Sequence, residues 1–60
     1  MKKRDLERKL RELGWQPCGG TKHDAWTNGV IKEFVPRHTE IAEPLAQKIL
    51  RKARANPGPK

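Results

Sequence analysis

Apolar residues recur along the chain with two periods, one helical and one of strand alternation, and each stretch of either marks an element. From Lys3 to Leu13 they fall at Leu6, Leu10 and Leu13, spaced i, i+4, i+7 with charged residues between them, and Gly14 follows. That spacing predicts an amphipathic helix of about three turns that ends at the glycine. Trp15-Gln16-Pro17-Cys18 is short and extended, and Pro17 has no N–H to give to a ladder, so this stretch predicts an edge strand. Lys22–Thr27 and Val30–Val35 flank Asn28-Gly29, a strong short-range signal for a hairpin. A two-residue loop there would set Thr27 opposite Val30, Trp26 opposite Ile31, and His23 opposite Phe34. Alternation then puts His23, Ala25, Thr27, Val30, Lys32 and Phe34 on one face, and Lys22, Asp24, Trp26, Ile31, Glu33 and Val35 on the other. Both faces mix apolar and charged groups, so pattern alone does not say which one meets the helices. A second helix is predicted from Pro44 to Arg54, with Leu45, Ile49 and Ala53 on one line and Ala46 and Leu50 beside it. The fold class is α+β: a helix, a three-stranded antiparallel meander and a helix, with both helices on one face. Residues 1–55 form the single predicted domain, and 56–60, rich in Pro and Gly, a frayed and disordered tail.

Charge refines this picture. The sequence has 60 residues, with 14 Lys and Arg against 7 Asp and Glu, for a net charge of +7. The excess sits at the two ends: residues 1–13 carry +3, residues 14–47 carry −1 and residues 48–60 carry +5. A partner with repeated negative charge, touching two separate elements, suits that distribution. Lys2, Lys3 and Arg4 crowd the start of the first helix, where the helix dipole would not choose them. One reading is a solvated start, and the other is a helix N-terminus offered to phosphate. Lys48, Arg51, Lys52 and Arg54 sit where the dipole of the second helix favours them, which weakens any inference from them to RNA. Cys18 is alone and no zinc-type Cys/His spacing exists, so neither disulfide nor metal is expected to hold the fold. With no apolar run near 18 residues and no signal-peptide core, the expectation is a cytoplasmic chain with no membrane partner.

One stretch carries candidate chemistry: Gly19-Gly20-Thr21-Lys22-His23-Asp24. Two glycines let a large partner approach the backbone, and a lysine beside an imidazole can handle phosphate. Chemistry on a phosphate ester calls for a proton-transfer group and for positive charge near the phosphorus. His23 fits the first requirement. Gly20, Thr21 and Lys22 fit the second, with Lys2, Lys3, Lys32 and Arg37 as further phosphate contacts and His38 as a possible assisting group. Each residue also has a plain structural reading: a merely exposed histidine for His23, a cap of the polar connection for His38, and core packing for Trp15 and Trp26 in place of base stacking.

Leu10-Arg11-Glu12-Leu13-Gly14-Trp15, the Gly19–Asp24 stretch, Asn28-Gly29 and Val35-Pro36-Arg37-His38-Thr39-Glu40-Ile41 together resemble the HicA family of toxins from type II toxin–antitoxin systems. The resemblance spans residues 3–53. It implies a small ribonuclease with a double-stranded-RNA-binding-domain-like fold that cleaves messenger RNA, inhibits translation and growth, needs no cofactor, and is neutralised in a hetero-oligomer by a HicB antitoxin covering the active site. The family's catalytic histidine falls on His23. Ala25 and Ala42 are smaller than the pattern leads one to expect, and Ala42 makes a poor helix cap. Two rivals remain at this level: a non-catalytic RNA-binding module, and a basic docking surface for an acidic protein.

Overall fold

The computed structural model describes residues 1–20 and 22–59. Its elements are α1 (Lys3–Glu12), β1 (Gln16–Gly19), β2 (Asp24–Thr27), β3 (Lys32–Val35) and α2 (Glu43–Ala55), and the strands form one antiparallel sheet in the order β1-β2-β3. The α+β class and the helix–meander–helix order expected from the pattern are those observed.

Both helices bury their apolar stripes against one face of the sheet. Leu6 and Leu10 of α1, Trp15, Trp26 of β2, Val35 of β3, Ile41, and Ala46, Ile49, Leu50 and Ala53 of α2 make one continuous core. The helix-facing side is therefore that of Asp24, Trp26, Glu33 and Val35. The α2 stripe runs 46, 49, 50, 53, and this i, i+3, i+4, i+7 ridge leaves Leu45 at its border, 37% exposed, instead of on the line expected for it. Ala42 at the α2 N-cap provides no side-chain bond, as its lack of a polar atom requires. Trp15 and Trp26 are each 1% exposed. They are core residues, which removes the stacking alternative for both.

The hairpin differs from expectation in register. Thr27 pairs with Lys32, Trp26 with Glu33, Ala25 with Phe34 and Asp24 with Val35. The pairing is shifted by two residues, so the connection spans residues 28–31. A type I′ turn needs positive φ at both central residues, and here Gly29 has it at +97° while Asn28 does not. Asn28 instead closes the wider loop with its side chain, accepting hydrogen bonds from the N–H groups of Val30 and Ile31 at 2.8 Å each. Thr27 Oγ1 accepts from Gly29 N–H at 3.0 Å and donates to the Ile31 carbonyl at 2.8 Å. Side-chain bonding to nearby backbone thus outcompetes the tighter turn. A two-residue shift leaves every side chain on its predicted face, and it packs Ile31 against the core while leaving Val30 exposed.

Residues 56–58 are docked, contrary to the expected frayed tail. The Asn56 carbonyl accepts from Trp15 Nε1 at 2.9 Å and from Asn28 Nδ2 at 3.0 Å, and Gly58 N–H donates to the Leu13 carbonyl at 2.8 Å. The buried Trp15 indole takes its acceptor from the chain after α2, whereas the Trp26 indole N–H has none among the described residues. Lys60 lies outside the described residues. Gly14, at φ +87°, touches Gly58 so closely that a Cβ on Gly14 would meet the Gly58 carbonyl.

Gly14→Ala is expected to lower unfolding stability by about 2–3 kcal/mol, because a positive φ and a backbone collision act together. Gly29→Ala, also at positive φ but with open space around its Cβ position, should cost only about 1 kcal/mol. Urea unfolding of the two variants reads the difference, and equal losses would mean that the Gly14–Gly58 contact adds nothing.

Candidate active site at the Gly-Gly turn

The Gly19-Gly20 turn owes its path to β1. Pairing advances from Pro17 opposite Trp26 to Gly19 opposite Ala25, so Cys18 is the extra residue of a bulge. Bulges bend a strand, and this one swings the chain into the turn. Gly20 has φ +152°, and a Cβ there would strike the carbonyl of His23. The backbone before His23 therefore folds onto the backbone of His23 itself, an approach only glycine permits.

His23 is exposed and sits in the bend one residue before β2. The expected strand began at Lys22 and paired His23 with Phe34; the ladder instead ends at Asp24 and Val35, which frees His23 from pairing. Thr21 lies outside the described residues.

Asp24, the first residue of β2, gathers the surroundings of His23. Lys3 Nζ donates to Asp24 Oδ2, Arg37 Nε donates to Asp24 Oδ1 at 3.0 Å, and Arg37 Nη2 donates to the Gly20 carbonyl at 2.9 Å. Lys3 is also 3.4 Å from Glu7, one turn along α1. Lys3, chiefly, and then Arg37 hold the Asp24 carboxyl below its ordinary value of 3.8, outweighing the opposing effect of burial. The same contact with Asp24, followed by Glu7, raises Lys3 above its ordinary 10.5.

Gly20, Lys3 and Arg37 are thus brought together around Asp24, and His23 is the residue next to it. Lys22 precedes His23 and is exposed, with no ion pair among the described residues. Lys2 is exposed too, and its backbone bridges to Glu40. That bridge uses the helix start, read as either solvated or offered to phosphate: Lys3 N–H donates to the Thr39 carbonyl at 2.9 Å, and the Met1 carbonyl accepts from Ile41 N–H at 2.8 Å. His38 is exposed, with no side-chain hydrogen bond among the described residues, so the capping role read for it is not seen. Lys32 stands apart at the hairpin end, three residues along the ladder from the Asp24–Val35 pair, or about 10 Å at strand rise.

Asp24 is the residue that the sequence reading left out of the site. Its signal was there: an acid on the same face as Trp26 and Val35 must find a cation once that face turns toward the helices. Phe34 also went unnoticed. It is 57% exposed on the face away from the helices, beside the small Ala25. Among the described residues no three His, Cys, Asp or Glu side chains converge as a metal-binding group. No protein-family model, curated protein or solved structure matches this chain.

Asp24 predicts an acid-sensitive fold. A carboxyl whose folded pKa is depressed contributes stability that is present above its unfolded value, near 3.8, and is lost as pH falls from there through the lower folded value. Lys3, raised in the fold, keeps its contribution up to pH 10.5 and loses it as pH climbs through its higher folded value. Urea unfolding at pH 7 and pH 3 should therefore show a larger gap for the wild type than for Asp24→Asn. Identical gaps would mean that the Lys3 and Arg37 contacts do not favour the ionised carboxyl.

Proposed function

We propose that the chain is a HicA-type toxin: a metal-independent endoribonuclease that cleaves messenger RNA in the cytoplasm, inhibits translation and growth, and is neutralised by a HicB antitoxin covering His23. The observation that carries this reading is the exposed imidazole on a turn closed by glycine and held by Arg37. The helix–meander–helix order, with both helices on one face, supports a double-stranded-RNA-binding-domain-like fold.

In this reading the 2′-hydroxyl oxygen attacks the adjacent phosphorus, the bond to the 5′-oxygen breaks, and a 2′,3′-cyclic phosphate and a 5′-hydroxyl result. His23 moves a proton in that step, as base at the 2′-hydroxyl or as acid at the departing oxygen. Lys22, next in the chain and without an ion pair among the described residues, supplies charge to the phosphate.

Single-turnover cleavage of an end-labelled messenger RNA in EDTA tests the proposal. The wild type is expected to leave a 2′,3′-cyclic phosphate, and His23→Ala, folded by circular dichroism, to bind the RNA but cut it on the order of 10²–10⁴-fold more slowly. Equal binding by both proteins with no cleavage by either would make the domain a non-catalytic RNA-binding module.

A further inference from the structure

Arg37 lies 14 residues beyond His23 in the chain, yet its guanidinium grips the His23 turn at both ends. Nη2 holds the carbonyl of Gly20, three residues before His23, and Nε holds the carboxylate of Asp24, one residue after it. We propose that Arg37 and Asp24 are positioning residues for His23: the guanidinium closes the 20–24 turn by joining the Gly20 carbonyl to the Asp24 carboxylate, and Lys3 anchors that carboxylate to α1. This rests on the ribonuclease reading and changes the role of Arg37 and Lys3 within it from phosphate contact to brace.

Three observations carry the reassignment. A planar guanidinium can bond two acceptors in fixed relative directions, whereas an ammonium is a point donor that does not fix them. The two acceptors belong to the two ends of one turn, so the pair of bonds sets the turn's width. Finally, the cluster is already compensated, since Lys3 and Arg37 face Asp24 and Glu7. A phosphate arriving there would compete with two carboxylates, whereas Lys22 and Lys2 carry no ion pair among the described residues. Gly20 adds a reason for needing a brace. At φ +152° and in contact with the His23 carbonyl, the turn has no side chain of its own at that position with which to hold its shape.

The test is a comparison of Arg37→Lys with Asp24→Asn and the wild type, at saturating and limiting enzyme in single-turnover cleavage, together with the amide-proton NMR shifts of Gly20 and His23. Arg37→Lys keeps the charge and loses the fork. It is expected to lower the maximal rate constant by about 10–100-fold, the scale on which small misplacements act, with the half-saturating concentration unchanged within about twofold. Asp24→Asn should do the same, and both variants should move the Gly20 and His23 amide resonances. An unchanged rate constant in Arg37→Lys with a raised half-saturating concentration would make Arg37 a phosphate ligand and overturn the proposal. So would unmoved amide resonances in either variant. A wild type that cleaves no RNA would overturn the ribonuclease reading instead, and the amide shifts would still decide whether Arg37 holds the turn.

Discussion

Asp24 stands on the helix-facing side of β2 with its side chain 30% exposed, and its carboxylate is shared by two cations. Its partners come from 21 residues upstream and 13 downstream, Lys3 and Arg37. These contacts fix how the start of α1, the start of β2 and the connection after β3 meet, and through Arg37 they reach back to the Gly20 carbonyl. In a chain whose core contains only one layer of side chains between helices and sheet, such a junction has few alternatives to lean on. The end of the sheet that bears His23 is organised by polar contacts, and the opposite end by the hairpin loop and the docked residues 56–58.

That division follows from where the large side chains are. Trp15 and Trp26 fill the centre and the hairpin end of the helix–sheet interface, with Arg11 5.2 Å from the centre of the Trp26 ring. A cation over that face contributes on the order of 0.5–1 kcal/mol. Trp15 also needs an acceptor for its indole N–H and obtains it from the Asn56 carbonyl, which draws the chain after α2 back across Gly14. At the Asp24 end the core residue of β3 is the smaller Val35. Charged contacts add to it there, and Lys52 with Glu33, 3.2 Å apart, ties α2 to β3 in the same manner.

The helices and the order of strands were legible in the sequence because each rests on a local period: 3.6 for Leu6 and Leu10, 2 for Trp26 and its neighbours. The side of the sheet that faces the helices was not, since Asp24 and Glu33 lie on the buried side and Ala25 and Phe34 on the open one, so polarity alone argues weakly. Hairpin register escaped for a different reason. Asn28-Gly29 signals a turn correctly, but whether Asn28 bends its backbone or bonds with its side chain depends on Thr27 and on the gain from packing Ile31. The docking of residues 56–58 was invisible because it answers a need of Trp15, 41 residues earlier. At the candidate site, His23 could be singled out from its neighbours in sequence, whereas Lys3 and Arg37, which meet beside it at Asp24, come from distant parts of the chain.

The Lys2-Lys3-Arg4 crowding at the start of α1, unfavourable for the helix dipole, has a partial explanation in this arrangement. Lys3 belongs to the fold, answering Asp24 and Glu7. Lys2 and Arg4 have no ion pair among the described residues, and neither do Lys22, Lys32, Lys48, Arg51 or Arg54. Six of the seven acids are already within ion-pair reach of a partner: Asp5, Glu7, Asp24, Glu33, Glu40 and Glu43. The net charge of +7 thus resides chiefly in cations that the fold does not use. Those of α1's first turn and Lys22 flank the His23 end, and those of α2 lie on its exposed side. A polyanion would meet residues free to answer it, while the cations that shape the turn stay paired. Under the proposed ribonuclease reading, affinity for RNA would follow Lys2, Arg4 and Lys22, while the shape of the turn would follow Lys3 and Arg37.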